Sequence, residues 1–425
     1  MKRLRQLIFL ALVTMPCALS AQSFSGRLTS SFYAYERSDS IGATSGHARG
    51  YQAFQIDLRN PNLLFRTYGQ LDTDFSTELA GDGRVRMYNL YFEWKNIAQR
   101  GELRLGRQPI FGGAGSGTVD GAQLKVRVAK WLRLKAYGGG LLPLHQRAKL
   151  TDDFGENYMA GGQATFSPNS DLNLSVSYFD KHQQREGFEA LRADSVGNIF
   201  TQFISPEDRA FRFASVDASW QFNRGSSLYG RSDYDWHGSQ ITRGELAIRS
   251  ELSSKIFVSG NYIFRSPRLP WNSIFSVFNI EDNHEIEGGL TYRHRPNLRF
   301  YGNVAEILYS DDESLRFTLG ADCNHGSLHF VRRSGYAGEL NGVNAAFYYP
   351  LHAGTCLPSL QVSWASYKLD ADADESQDLF SGAAGLLVRP WQEITFDGQL
   401  QFLNNRFYSN DVRFLLRVQY WFFNR

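Results

Sequence analysis

Hydrophobic and polar residues alternate one by one along much of this chain. Within the range 101–130, Leu103 and Leu105 alternate with charged residues and glycines, and Leu124 and Val126 repeat the pattern after a glycine-rich turn. A period of two is typical of β-strands whose two faces meet different surroundings. The apolar face can pack on a soluble core, or it can contact lipid around a membrane barrel with a wet lumen.

Alternating stretches recur to the C-terminus, and they number about 22 when each is counted as a strand, or 18 to 20 if the shortest are loop segments. Most have the length of roughly ten residues that a tilted strand needs to cross a bilayer. Short connections alternate with longer polar ones, as in outer-membrane barrels. The pattern predicts an all-β fold, a transmembrane antiparallel up-and-down β-barrel, with a secreted soluble β-protein as the alternative.

The N-terminus has the features of a secretory signal peptide. Lys2, Arg3 and Arg5 precede an apolar stretch, and small residues follow near Ala21. This stretch is too short for a stable membrane span and is removed on secretion. We therefore expect a signal peptide at 1–21 and a single barrel domain at 22–425. The first alternating strand begins almost at once, so we expect no plug domain.

Composition agrees with a membrane barrel. Hydrophobic residues make up 42% of the chain and aromatic residues 14%, yet no segment after the leader has eighteen consecutive apolar residues. Aromatic side chains at this density fit the girdles at the two membrane interfaces. Three of the 45 Lys and Arg belong to the leader, which leaves 42 against 43 Asp and Glu. This near-neutral balance gives no support for nucleic-acid binding.

Two segments carry a resemblance to known proteins. The last strand, "VRFLLRVQYWFFNR", resembles the assembly signal of outer-membrane barrel proteins, although it ends in Asn-Arg and not in Phe. The segment "LRLGRQ" (103–108) followed by "TVDGAQLKV" (118–126) resembles a hairpin of porin-like and alginate-export-type barrels. The resemblance implies an outer-membrane location in a bacterium and insertion by the barrel-assembly machinery.

Cationic residues recur on the polar phase of successive predicted strands. Neighbouring strands lie about 4.8 Å apart, so these side chains would form a basic wall on one side of the pore. Such a wall attracts anionic solutes. Alternatively, acidic residues of the same region, among them Asp57 and Glu93, pair with these cations and keep the wall hydrated. The predicted basic wall consists of Arg59, Arg66, Arg104, Lys125, Arg127, Arg133 and Lys135.

Two long loops, 185–206 and 266–279, are richer in apolar residues than a solvated loop. We expect each loop either to fold into the lumen and narrow it, or to hold a partner protein. The glycine-rich stretch 112–117, in contrast, is expected to be an exposed turn. The candidate constriction residues are Phe200, Phe203, Trp271, Phe275 and Phe278.

Other chemistry is scarce in this sequence. Cys323 and Cys356 fall in predicted periplasmic turns near the same rim, where a disulfide is permitted, so we predict a bond between them, with separate thiols as the alternative. Neither cysteine has zinc-site spacing, and there is no haem-attachment motif, P-loop or hydrolase motif. We therefore expect no enzyme activity, no metal and no cofactor.

Two functions remain open from the sequence. The first is an outer-membrane porin-like channel that passes small hydrophilic solutes by diffusion, with a preference for anions if the basic wall is not neutralised. The second is a sheath or scaffold whose lumen encloses a partner, such as a lipoprotein or a cytochrome. The first needs outer-membrane lipid and solute as its only partners, whereas the second needs a protein partner in an open bore.

Overall fold

The computed structural model describes residues 23–424 with gaps at 40–41, 77–83, 143–147, 152–153, 185–186, 194–198, 205–210, 268–281, 337 and 369–374. Within these residues the chain forms β-strands and one short 3-10 turn at His352–Gly354. None of the described segments is a helix long and apolar enough to cross a bilayer.

The described strands form one 22-stranded sheet and one separate two-stranded hairpin. The strands are β1 (Ser23–Asp39), β2 (Thr44–Arg59), β3 (Leu63–Asp74), β4 (Arg84–Ile97), β5 (Gly101–Ile110), β6 (Gly117–Ala129), β7 (Leu132–Leu141), β8 (Asn157–Phe166), β9 (Leu172–Gln183), β10 (Phe188–Ala193), β11 (Ile199–Ile204), β12 (Phe211–Asn223), β13 (Ser226–Asp235), β14 (Gln240–Ser253), β15 (Ile256–Arg265), β16 (Asn283–Arg295), β17 (Leu298–Leu308), β18 (Glu313–Cys323), β19 (Gly326–Gly335), β20 (Leu340–Tyr348), β21 (Cys356–Tyr367), β22 (Gln377–Val388), β23 (Ile394–Asn404) and β24 (Tyr408–Phe423).

The large sheet closes on itself. Each strand pairs antiparallel with its neighbour in the chain, with one exception. β9 pairs with β12, because the hairpin β10–β11 between them in sequence forms a separate sheet. β1 pairs with β2 on one side and with β24 on the other, and this second pairing closes the barrel. The predicted all-β, antiparallel, up-and-down barrel of about 22 strands is confirmed. No plug is present among the residues that the structure describes.

Connections of two kinds alternate around the barrel. One rim carries tight turns such as 60–62 and 324–325, and the other carries the longer segments, including 142–156 and 184–210. Outer-membrane barrels have short periplasmic turns and long external loops. The rim with the long connections is therefore the external one, which leaves the described ends of the chain at the periplasmic rim.

A buried ion pair fastens one external connection to the barrel. The Arg107 Nε and Nη2 atoms each lie 2.7 Å from a carboxylate oxygen of Asp120 on the neighbouring strand. The same carboxylate accepts a hydrogen bond from the Thr151 backbone amide at 3.1 Å, and Arg107 Nη2 also donates to the Lys149 carbonyl at 2.7 Å. Arg107 is only 2% exposed and Asp120 only 5%. The pair thus holds the segment after β7 against the external rim.

This geometry makes Asp120→Ala strongly destabilising. The substitution leaves the buried Arg107 guanidinium without its counter-charge, which is expected to lower the free energy of unfolding by about 3–5 kcal/mol. Urea titration of the refolded barrel in lipid vesicles, followed by tryptophan fluorescence, measures the change. The double variant Arg107→Met with Asp120→Leu removes both charges and is expected to regain most of the loss. A loss below about 1 kcal/mol for Asp120→Ala, the range of exposed ion pairs, would contradict the role of the pair.

Candidate functional site: the inner wall of the barrel

The two faces of the barrel wall differ sharply in polarity. Leu105, Leu124, Leu134 and Val176 share one alternating phase on β5 to β9 and are 43–56% exposed. The pairing registers keep apolar residues opposite one another, as for Leu103 and Leu124. Exposed aliphatic side chains in contiguous rows fit hydrocarbon and not water. The opposite, charged phase therefore faces the lumen.

Four of the seven predicted basic-wall residues form ion pairs on this inner face. Arg59 and Arg66 both bind the Asp57 carboxylate, Arg66 through two hydrogen bonds of 2.8 and 2.7 Å. Arg104 lies 2.7 Å from Glu93, and Lys125 lies 2.7 Å from Glu102. These cations are largely neutralised by carboxylates on the same or neighbouring strands, as the alternative reading of the sequence expected.

The other three basic-wall residues, Arg127, Arg133 and Lys135, differ from these four. In the described part of the chain, no carboxylate lies within ion-pair distance of any of them. Arg133 contacts the hydroxyl of Ser167 at 3.5 Å, and the Lys135 ammonium donates to the Phe111 carbonyl.

Like charges also stand directly opposite one another on β6 and β7. The register pairs Arg127 with Arg133 and Lys125 with Lys135. Opposed like charges destabilise a strand pair, so these positions are unfavourable for folding alone. We call Arg127, Arg133 and Lys135 the open cation group. It lies toward the periplasmic end of the wall, within four residues of the turn that joins β6 to β7.

The glycine-rich segment 111–116 folds onto the inner wall. The Ala114 backbone amide donates to Ser177 Oγ on β9 at 2.8 Å, and Arg231 Nη2 on β13 donates to the Gly113 carbonyl at 3.1 Å. Gly112 lies beside the side chains of Lys135 and Gln163. The segment therefore reaches from the external rim of β5 and β6 across β7, β8 and β9. We call it the inner loop.

Close packing explains why the inner loop is so rich in glycine. Gly113 has a φ of +62°, and a Cβ atom there would collide with the Ser177 side chain. A Cβ atom at Gly115 would lie 3.1 Å from the Phe179 ring and would also collide with the Tyr137 hydroxyl. Only residues without a side chain allow the backbone this near to the wall.

An apolar cluster lies beneath the inner loop. Its members come from the five neighbouring strands β5 to β9 and occupy the phase that elsewhere carries charged and hydroxyl side chains. Burial removes their surface from the aqueous lumen and stabilises the folded-in position of the loop. The cluster consists of Ile110, Val119, Tyr137, Leu141, Met159 and Phe179, and Ala114 of the loop packs against it.

The prediction that 112–117 is an exposed turn is therefore wrong. Gly115 is buried, and the loop is anchored on both β9 and β13. The sequence does carry a signal for this arrangement. Val119 and Phe179 fall on the same phase as Lys125 and Ser177, and apolar residues at lumen positions need a cover.

The two predicted constriction residues that the structure describes lie on the separate hairpin β10–β11 and not on the inner loop. Phe200 and Phe203 lie on β11, which pairs only with β10 among the described strands, and their side chains are 47% and 66% exposed. The packing expected for these two aromatics is therefore absent from the described structure. Trp271, Phe275 and Phe278 lie outside the described residues.

The predicted disulfide between Cys323 and Cys356 is not formed, and both are free cysteines. Cys323 ends β18 and Cys356 begins β21, so three strand spacings of about 4.8 Å separate them along the wall. A disulfide requires Cα atoms less than about 7 Å apart. The two periplasmic turns share a rim, as predicted, but they are too far apart to be bridged.

Comparisons with known proteins assign no family. No family model matches the chain, and no curated protein matches it. Among solved structures, the P pilus usher PapC translocation pore has 9% identity and a TM-score of 0.47 and covers 93% of this chain and 99% of its own. Pseudomonas aeruginosa OpdQ has 8% identity and a TM-score of 0.44, covering 95% of this chain and 100% of its own. A BenF-like porin from Pseudomonas fluorescens Pf-5 has 10% identity and a TM-score of 0.45, covering 95% of this chain and 99% of its own.

The class of the protein follows from its own strand pairing and from the two faces of its wall. A single chain that closes 22 antiparallel strands, with an apolar band outside and charged residues inside, has the architecture of bacterial outer-membrane proteins. The protein is a β-barrel of the outer-membrane class.

The position of the inner loop can be tested by cross-linking. In a variant that lacks Cys323 and Cys356, cysteines at Ala114 and Ser177 are expected to form a disulfide under mild oxidation, because the loop backbone contacts Ser177. A gel-mobility difference between oxidised and reduced protein measures the bond. A matched pair with cysteines at Ala114 and Thr44 is expected to stay reduced. Equal bonding in both pairs, or in neither, would contradict the folded-in loop.

The two free cysteines give a separate test. Denatured, unreduced protein purified from the outer membrane is expected to bind two maleimide molecules per mature chain, because Cys323 and Cys356 lie too far apart to bond. Mass spectrometry counts the labels, and a reduced sample provides the control. Uptake of two labels only after reduction would show that the disulfide exists.

Proposed function

We propose that this protein is a passive outer-membrane channel for small hydrophilic solutes and that it prefers anions. Secretion through the predicted leader at 1–21 and insertion by the barrel-assembly machinery belong to this proposal. The lumen supplies a water-filled path, the inner loop narrows it on one side, and diffusion along the path needs no catalytic group. The same path passes any solute small enough to clear the inner loop.

The open cation group is the observation that supports the anion preference. Arg127, Arg133 and Lys135 project three positive charges without described carboxylate partners, on two adjacent strands near the periplasmic mouth. A fixed charge inside a low-dielectric wall raises the local concentration of the opposite ion. Rings and rows of such side chains set selectivity in pores. The ion-paired cations Arg66 and Arg104 contribute little to this field because their carboxylates neutralise them.

Ion selectivity in planar bilayers tests the proposal. Under a KCl gradient, the wild-type protein is expected to show a reversal potential displaced from zero toward the equilibrium potential of chloride. The triple variant Arg127→Gln, Arg133→Gln and Lys135→Gln is expected to lower the chloride-to-potassium permeability ratio about threefold or more, since focused charges change local ion concentrations by about tenfold or more.

A compensated pair on the inner face provides the matched control. Arg243 Nη2 on β14 lies 2.5 Å from the Glu245 carboxylate, and neither side chain has another ion-pair partner in the described part of the chain, so Arg243→Gln with Glu245→Gln removes a cation without changing the net charge. This variant is expected to keep the wild-type permeability ratio. An unchanged ratio in the triple variant would overturn the anion preference. A folded barrel that conducts no ions would overturn the channel and favour the sheath around a partner protein.

A further inference from the structure

A polar pair lies on the lipid-facing phase of the wall. Ser30 on β1 donates a hydrogen bond of 2.6 Å to the Gln52 Oε1 atom on β2. Both residues share the phase of Leu28 and Phe54, and both are exposed. Neighbouring outward side chains such as Leu71 and Phe32 are apolar, and Phe32 is 38% exposed. Thr73 of β3, opposite Gly50, adds a hydroxyl to the same surface.

The depth of Gln52 places its amide inside the hydrocarbon layer. Gln52 is six residues from Leu58, the last outward residue of β2 near the periplasmic rim, which is about 20 Å along the strand. Gln52 is also eight residues from Thr44, where β2 begins at the external rim. Lipid tails at this depth have no hydrogen-bond acceptors, because the ester and phosphate groups lie at the interfaces.

One part of the Gln52 amide has no partner. Ser30 uses one lone pair of Oε1, and no acceptor in the described part of the chain binds the two hydrogens of Nε2. A polar group left unpaired in hydrocarbon is unfavourable, and such residues in membrane segments serve as contacts between proteins. A protein surface with an acceptor at the same depth would satisfy this donor, whereas a lipid would not.

A groove surrounds the polar pair. It has a volume of about 330 Å³ and is lined by residues of β24, β1, β2 and β3, among them Leu71, Phe75 and Leu416. Gly50 keeps the groove open, because a Cβ atom there would lie 3.0 Å from the Phe75 ring. Phe75 itself is 66% exposed. The groove therefore offers a concave apolar surface with a hydrogen-bonding centre.

We propose that this groove is the contact surface for a second copy of this chain. A primary amide carries both a donor and a free lone pair, so it is complementary to itself. Around a two-fold axis, Gln52 of one copy donates to Gln52 Oε1 of the other, and the second bond forms by symmetry. The interface is independent of the proposed channel function, because it lies on the outer face of the wall.

Cross-linking in native outer membranes tests the interface. In a variant with Cys323→Ser and Cys356→Ser, Gln52→Cys is expected to form a covalent dimer of twice the chain mass under oxidation. Val304→Cys is the matched control, since Val304 lies mid-strand on the same phase of β17 and is 49% exposed. It is expected to stay largely monomeric. Equal cross-linking at both positions, or a product with a different protein, would overturn the proposal.

The role of the amide is tested by Gln52→Leu. In mild detergent, sedimentation of the wild-type protein is expected to give a dimer, and Gln52→Leu is expected to raise the dimer dissociation constant at least about tenfold. A heat-induced gel shift confirms that the variant barrel is folded. A wild-type protein that sediments as a monomer at all concentrations, or a folded Gln52→Leu variant with wild-type association, would contradict the proposal.

Discussion

Closure of the sheet is the constraint on which the rest of the structure depends. Backbone amides and carbonyls cannot remain unpaired in hydrocarbon, and a β-sheet has no unpaired edge only when its first and last strands join. The pairing of β1 with β24, from Ser25 against Phe423 to Asp39 against Tyr408, provides that join. The even strand number, the alternation of faces and the division of connections between the two rims all follow from a chain that crosses the membrane and returns.

The closed wall creates two surfaces with opposite requirements. Side chains outside must be apolar, and side chains inside must tolerate water, so each departure from this rule marks a special position. The apolar cluster of Ile110, Val119 and their neighbours departs on the inside, and the inner loop covers it. The Arg107–Asp120 pair departs on the outer phase, where the segment after β7 covers it. Gln52 departs on the outside, and no described segment of its own chain covers it.

Much of the fold could be predicted from the sequence, because a period of two is a local signal that survives in every strand. The ion pairs of the inner face could be predicted only in part from the sequence. That Asp57 binds both Arg59 and Arg66, while Arg127 opposes Arg133, depends on strand register. Register shifts at turns cannot be read from alternation alone. Strands β19 and β20 lie between Cys323 and Cys356 and keep the two thiols apart, so the predicted disulfide was wrong.

The inner loop was missed for a different reason. A run such as "FGGAGSG" is compatible with a flexible external turn and equally with a backbone pressed against a wall. Only the partners on β9 and β13, which are distant in sequence, distinguish the two. The aromatic loops appeared better suited to narrow the lumen because apolar content is visible locally, whereas the contacts of Gly113 with Ser177 and Arg231 are not.

The charged phase of the wall faces a water-filled lumen, and a cysteine scan along β6 tests this most directly. Single cysteines at Leu124, Lys125, Val126 and Arg127 are introduced into the protein without Cys323 and Cys356, and the barrel is refolded in vesicles. A membrane-impermeant thiol reagent is expected to modify positions 125 and 127 rapidly, and a lipid-dissolved quencher is expected to reach labels at 124 and 126. Rapid aqueous modification at 124 and 126, or lipid quenching at 125 and 127, would contradict this orientation of the wall.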